Sequence, residues 1–69
     1  MMFKVRVRLD VTSGGLGSSV KTEVFETMMD SETYANCNSS VGKKIVEAAW
    51  LNSMFPGAKE IRIHNAVKI

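Results

Sequence analysis

The chain has 69 residues, a net charge of +2 and an apolar fraction of 45%. These values predict one globular domain, residues 1–69, exclude a disordered chain, and give no indication of nucleic-acid binding from charge alone. A lone cysteine, Cys37, excludes an internal disulfide and favours the cytoplasm, and no stretch approaches the roughly 18 apolar residues of a membrane span.

Residues 3–28 predict a β-hairpin of two strands and a connecting loop. Apolar side chains occupy every second position from Phe3 to Val11 and alternate with charged ones, which is typical of a half-buried strand. The glycine-rich run from Thr12 to Ser19 predicts a loop, because glycine adopts positive φ at little cost. From Val20 to Met28 a two-residue period returns, and this second strand completes the hairpin.

A helix is predicted after the hairpin, with Ser31 as its N-cap. Residues at three- and four-residue spacings predict one face directed at the sheet. The members of this face are Tyr34, Cys37, Val41, Ile45, Ala48, Asn52 and Phe55. Because residues 34–42 are poor helix formers, a shorter helix capped by Ser39 or Ser40 is the alternative. Pro56-Gly57 ends the helix in either case.

The last predicted element is a strand from Ile61 to Ile69, in which Asn65 interrupts the inner row. The element order is therefore β-β-α-β, an α+β fold. A right-handed crossover from the second strand to the third would place the third beside the first. We expect a three-stranded antiparallel-type sheet of order 2-1-3, with one helix packed on one face.

The uncovered face of this sheet is the first candidate site. It is predicted to carry basic side chains around one aromatic ring, a combination that sheets binding single-stranded RNA use. The predicted members are Lys4, Arg6, Arg8, Phe25, Arg62 and Lys68. Acidic residues interrupt this field, and a solvent-facing antiparallel sheet is charged in any case, so an ordinary solvated face is the competing interpretation.

The second candidate is an apolar stripe on the predicted outer side of the helix, formed by Val46, Trp50 and Met54. Trp and Met are enriched in the cores of protein interfaces, so the stripe predicts contact with a protein partner or with a second copy of the chain. The alternative is a rotated helix phase in which Trp50 belongs to the core. Leu16, at the predicted hairpin tip, is a further contact candidate.

The residues that could carry chemistry are few. Cys37 and His64 are the only thiol and the only imidazole, and the predicted sheet would separate them, so no nucleophile–base pair is expected. Zinc needs more Cys and His ligands than the chain has, and a chain this short has little volume for a substrate cleft. We predict no enzyme, no catalytic residue, no metal, no cofactor and no small-molecule substrate.

The corner between the helix and the last strand, Phe55 to Ile63, reads F-P-G-A-K-E-I-R-I. Together with the hairpin and the small-residue helix, it resembles the small accessory proteins of phages and other mobile elements, some of which inhibit host defence, such as anti-CRISPR proteins. The resemblance is one of architecture, and no functional residue carries over. It implies a cytoplasmic, non-enzymatic inhibitor that binds a macromolecule; a nucleic-acid-binding domain is the alternative.

Overall fold

A computed structural model describes residues 1–14, 17 and 19–69 of the chain. The elements in chain order are strands β1 (Phe3–Ser13) and β2 (Val20–Met29), helices α1 (Ser31–Cys37) and α2 (Gly42–Ser53), and strand β3 (Ala58–Lys68). The strands form one antiparallel sheet in the order β2-β1-β3. The predicted α+β class and strand order are confirmed.

The single predicted helix is in fact two helices, α1 and α2, separated by a short turn. The N-cap of α2 is Val41, which makes no side-chain cap bond, so the alternative cap at Ser39 or Ser40 is wrong. The Ser39 hydroxyl instead accepts the N–H of Gly42 at 3.3 Å within the turn. At the start of α1 the N-cap is Asp30 rather than Ser31. Its carboxylate accepts the N–H of Thr33 at 2.9 Å, a bond that also lowers the pKa of Asp30.

Both helices lie on the same face of the sheet, and their inner side chains complete one hydrophobic core. The buried members of this core are Val5, Val7, Leu9, Met29, Cys37, Val46, Ile63 and Ala66. Strand β1 supplies three of them at alternate positions, as its sequence pattern predicts. Burial of such side chains, at roughly 25 cal/mol per Å² of apolar surface, is the main driving force available to so small a chain.

The aromatic side chains of the protein all pack on this helix-covered side. Phe3 and Tyr34 meet edge-to-face with ring centroids 5.5 Å apart, and Phe25 meets Trp50 at 5.8 Å and Phe55 at 6.3 Å. All five rings pack against the core. The sheet surface that faces away from the helices therefore carries no aromatic residue.

Helix α2 has the rotated phase that was the alternative prediction. Val46 is 6% exposed and Trp50 packs against the core, whereas Val41 and Ile45 are 73% and 63% exposed. The inner face predicted through Val41, Ile45 and Ala48 is wrong. Because the turn between the helices interrupts the helical backbone, the three- and four-residue spacing that begins in α1 does not mark the inner face of α2.

Candidate functional site

The face of the sheet that the helices leave uncovered is named the open face. Residues that stand opposite each other in paired strands point to the same face, so the register assigns its members, and contact with Asp10 adds the unpaired His64. They are Lys4, Arg6, Arg8, Asp10 and Thr12 of β1, Val20, Thr22, Val24, Glu26 and Met28 of β2, and Glu60, Arg62, His64, Asn65 and Val67 of β3. Since four are basic and three acidic, the face is mixed in charge rather than strongly basic.

One carboxylate binds two of the basic residues in the central strand. Glu26 Oε2 lies 3.3 Å from Arg6 Nη2, and Glu26 Oε1 lies 3.9 Å from Lys4 Nζ. Exposed pairs of this kind contribute about 0–1 kcal/mol each. Within the described part of the chain, Arg8 and Arg62 form no salt bridge, so their guanidinium groups remain available to an external carboxylate.

Asp10 connects the three strands across the open face. Thr22 Oγ1 of β2 donates to Asp10 Oδ1 at 2.8 Å, and His64 Nε2 of β3 lies 2.8 Å from Asp10 Oδ2. Both hydrogen bonds hold the pKa of Asp10 below its ordinary value of 3.8, and the bond from Thr22 has the larger effect.

This lowered pKa predicts an acid-dependent loss of stability. A carboxyl group that binds its proton less readily in the folded state stabilises the fold above its ordinary pKa, and that contribution disappears as the pH falls through the lower folded value. Urea unfolding measured from neutral pH to below 3.8 should therefore show falling stability on the acid side. Asp10→Asn should make that fall shallower. The same acid slope in both proteins would contradict the assignment.

Two of the six residues predicted for this face lie on the other side of the sheet. Phe25 stands opposite Val7, so its ring faces the helices. Lys68 stands opposite Val5, and its Nζ lies 4.6 Å from the ring centroid of Phe3. The open face thus keeps four of its predicted basic residues and loses its only predicted stacking ring.

The position of Lys68 follows from a β-bulge in β3. His64 is an extra residue in the pairing with β1, so the alternation of sides shifts by one after it. Ala66 consequently points into the core and Val67 points outward. The sequence signal for this bulge was Asn65, a polar residue in a row predicted to be apolar.

The apolar stripe predicted on the outer side of the helix does not form an external surface. Val46 belongs to the core and Trp50 packs on Phe25, so these side chains stabilise the fold and are not free for a partner. Met54 is exposed near the end of α2, and its role in an interface stays a prediction. Leu16 lies outside the described residues.

Side chains of the helical region cover the outer edge of β3, a feature that no sequence pattern predicts. The side-chain amide of Asn38 donates to the C=O of Ala66 at 3.0 Å and accepts its N–H at 3.2 Å, as a neighbouring strand would. Farther along, the Glu47 carboxylate accepts the N–H of Ile63 at 2.7 Å. Lys43 Nζ donates to the C=O of His64 at 3.1 Å, so three side chains bond to this edge.

The groups capable of chemistry are kept apart or already bonded. Cys37 is fully buried under the helices, which raises the pKa of its thiol, whereas His64 lies on the open face. A shallow depression of about 250 Å³ lies beside α2 and β3, but its Lys43 and Glu47 bond to the backbone of β3. The described residues contain no group of three side chains placed to hold a metal ion.

No family model, no curated protein and no solved structure matches this chain. Among the helices of the described ranges, none has the length and apolar character needed to cross a membrane. The open face is the side of the sheet that both helices leave uncovered.

Proposed function

We propose that the protein is a non-enzymatic binding module that holds another protein on its open face. The observation that carries the proposal is the mixture of side chains there. Val24, Met28 and Val67 are 56%, 51% and 49% exposed and lie directly beside the basic residues of β1. A face that contacts only water has no need of apolar residues on both flanking strands.

Arg8 lies near the middle of this surface. It stands between Val24 of β2 and Asn65 of β3. Arginine and methionine are enriched in interface cores, and arginine is a common hot spot because its planar guanidinium group combines charge, hydrogen bonds and apolar contact. An exposed carboxylate on a partner protein, surrounded by apolar side chains, would complement this arrangement.

A nucleic-acid ligand fits the same surface less well. Single strands are held by a positive field and by aromatic rings on which bases stack. On the open face three acidic side chains offset four basic ones, Glu26 binds two of those four, and the aromatic rings all lie on the opposite side. A protein partner is therefore the better-supported ligand.

The biological setting of this binding is a separate expectation. A small chain with a single uncovered sheet face suits an accessory protein that blocks or recruits one macromolecule. An inhibitor of phage or mobile-element origin that acts in the cytoplasm remains the prediction from the architectural resemblance.

Affinity capture with paired charge reversals tests the proposal. The immobilised protein, Arg8→Glu and Lys44→Glu are each incubated with lysate of the source cells, with and without nuclease. Lys44 is the control, because it is exposed on α2 and its replacement makes the same change in charge. We expect one protein to be captured in equal amounts with and without nuclease, and by Lys44→Glu as by the unmodified chain. Its capture by Arg8→Glu should fall about tenfold or more.

Circular dichroism of both variants verifies that the fold is intact. Loss of all captured material after nuclease treatment would show that the ligand is a nucleic acid and not a protein. Binding of a nucleic acid should also weaken steeply with salt. Equal capture by the two variants would show that the open face is not the binding surface.

A further inference from the structure

The outer edge of β2 differs from that of β3 in having no partner among the described residues. The Ser13 N–H donates to the Ser19 C=O at 2.9 Å. The backbone hydrogen bonds between β1 and β2 are therefore made by the odd-numbered residues of the two strands. Because backbone groups alternate in direction along an antiparallel strand, the even-numbered residues direct their N–H and C=O groups outward. These are Val20, Thr22, Val24, Glu26 and Met28.

Unpaired edges invite another strand, and proteins usually protect them with covering side chains, charges, proline or bulges. Asn38, Lys43 and Glu47 provide such cover for β3. The pairing of β2 runs for ten residues without a register shift, the strand contains no proline, and three of its outward-directed residues are exposed apolar side chains. The three charged residues of this strand all form ion pairs within the sheet, and no described side chain bonds to its outer backbone, so β2 is the edge left open.

We propose that β2 pairs antiparallel with β2 of a second copy of this chain, which joins two three-stranded sheets into one of six strands. The pairing uses the edge of the sheet and leaves the open face free, so this inference does not depend on the function proposed for that face. A two-fold axis relates the copies, and each strand is both donor and acceptor.

The strand is self-complementary over nine residues in the register centred on Val24. There Val24 meets the same residue of the second copy, Val20 meets Met28, and Thr22 meets Glu26. The three exposed apolar residues are thus matched with one another, and both copies overlap from residue 20 to residue 28.

Neighbouring registers are less favourable. A two-fold axis at residue 23 would place Glu23 directly against its copy, and like charges at opposed positions destabilise a sheet. An axis at residue 25 would place Val24 against Glu26 and Thr22 against Met28, so the apolar residues would be unmatched. The side-chain pattern therefore favours a second copy in the register centred on Val24.

Sedimentation equilibrium with complementary charge variants tests this register. The unmodified protein should show a concentration-dependent species of twice the 7.6 kDa chain mass. Val24→Lys and Val24→Glu, each alone, should dimerise at least about tenfold more weakly because like charges meet on the axis. Mixing the two variants should restore a dimer. Val67→Lys, an exposed change on β3, is the control and should dimerise as the unmodified chain does.

A protein that is monomeric at every concentration would overturn the proposal, as would variants that dimerise normally alone or a mixture that stays monomeric. Amide hydrogen exchange of the unmodified protein gives a second measurement that does not require any variant to fold. The amides of Thr22, Val24 and Glu26 should exchange more slowly in concentrated than in dilute samples; equal rates would refute the pairing.

Discussion

Trp50→Ala is expected to lower the free energy of unfolding by about 3 kcal/mol, the lower part of the range for Trp in a core. Trp50 is partly buried, packs against the core and meets Phe25 edge-to-face. Its removal leaves a cavity between α2 and β2 and also uncovers Phe25. In a domain this small, each kcal/mol corresponds to about 4–8 °C in Tm, so thermal unfolding should show the change clearly.

Ile45→Ala is the matched control for this experiment, because Ile45 lies on the same helix but is 63% exposed. Its replacement should change stability by no more than about 0.5 kcal/mol. If Ile45→Ala were the more destabilising substitution, the phase assigned to α2 would be wrong, and Trp50 would again be available as an interface residue.

Gly42→Ala is the second substitution expected to have a large effect. A Cβ at this position would lie 2.6 Å from Asn36 Cα and 2.7 Å from Asn36 Oδ1, distances that force a movement. Because one of these atoms belongs to the backbone of α1, the two helices would have to move apart. We expect a loss of about 1–3 kcal/mol, as for other overpacked sites. Helix propensity alone predicts the opposite sign, a gain of up to about 1 kcal/mol.

Gly57→Ala supplies the comparison. A Cβ on Gly57 would have no atom within 4 Å, and its φ is not positive, so alanine fits there without strain. Chemical denaturation of both variants should show Gly57→Ala close to the unmodified protein and Gly42→Ala clearly below it. Equal stability of the two would mean that the close approach of α1 and α2 is not maintained in solution.

The parts of the fold that were predicted correctly rest on strong local signals. Strict alternation identified β1, Pro56-Gly57 marked the end of the helical region, and the handedness of the crossover gave the strand order. The face of β2 was not predictable in this way, because each side of it mixes apolar and polar residues. Only the register, with Phe25 opposite Val7, decides which side faces the helices.

Two errors concerning the candidate sites, at Trp50 and at Lys68, arise where a period is interrupted. The turn between α1 and α2 resets the helical phase, so Trp50 packs against the core. The extra residue His64 moves Lys68 to the helix side. A single inserted residue reverses every later position of a strand. The cover on β3 could not be predicted, because the bond from Asn38 to Ala66 joins residues 28 positions apart.

The hydrogen bonds that cover β3 have a consequence for folding. Since the side chains that protect this edge come from the helical region, the protection exists only while that region is docked. A molecule whose helices have separated from the sheet would expose both sheet edges and the apolar face between them. Such a species could add strands on either side, so aggregation of this protein should begin with undocking of the helices and increase with any substitution that weakens their contact with the sheet.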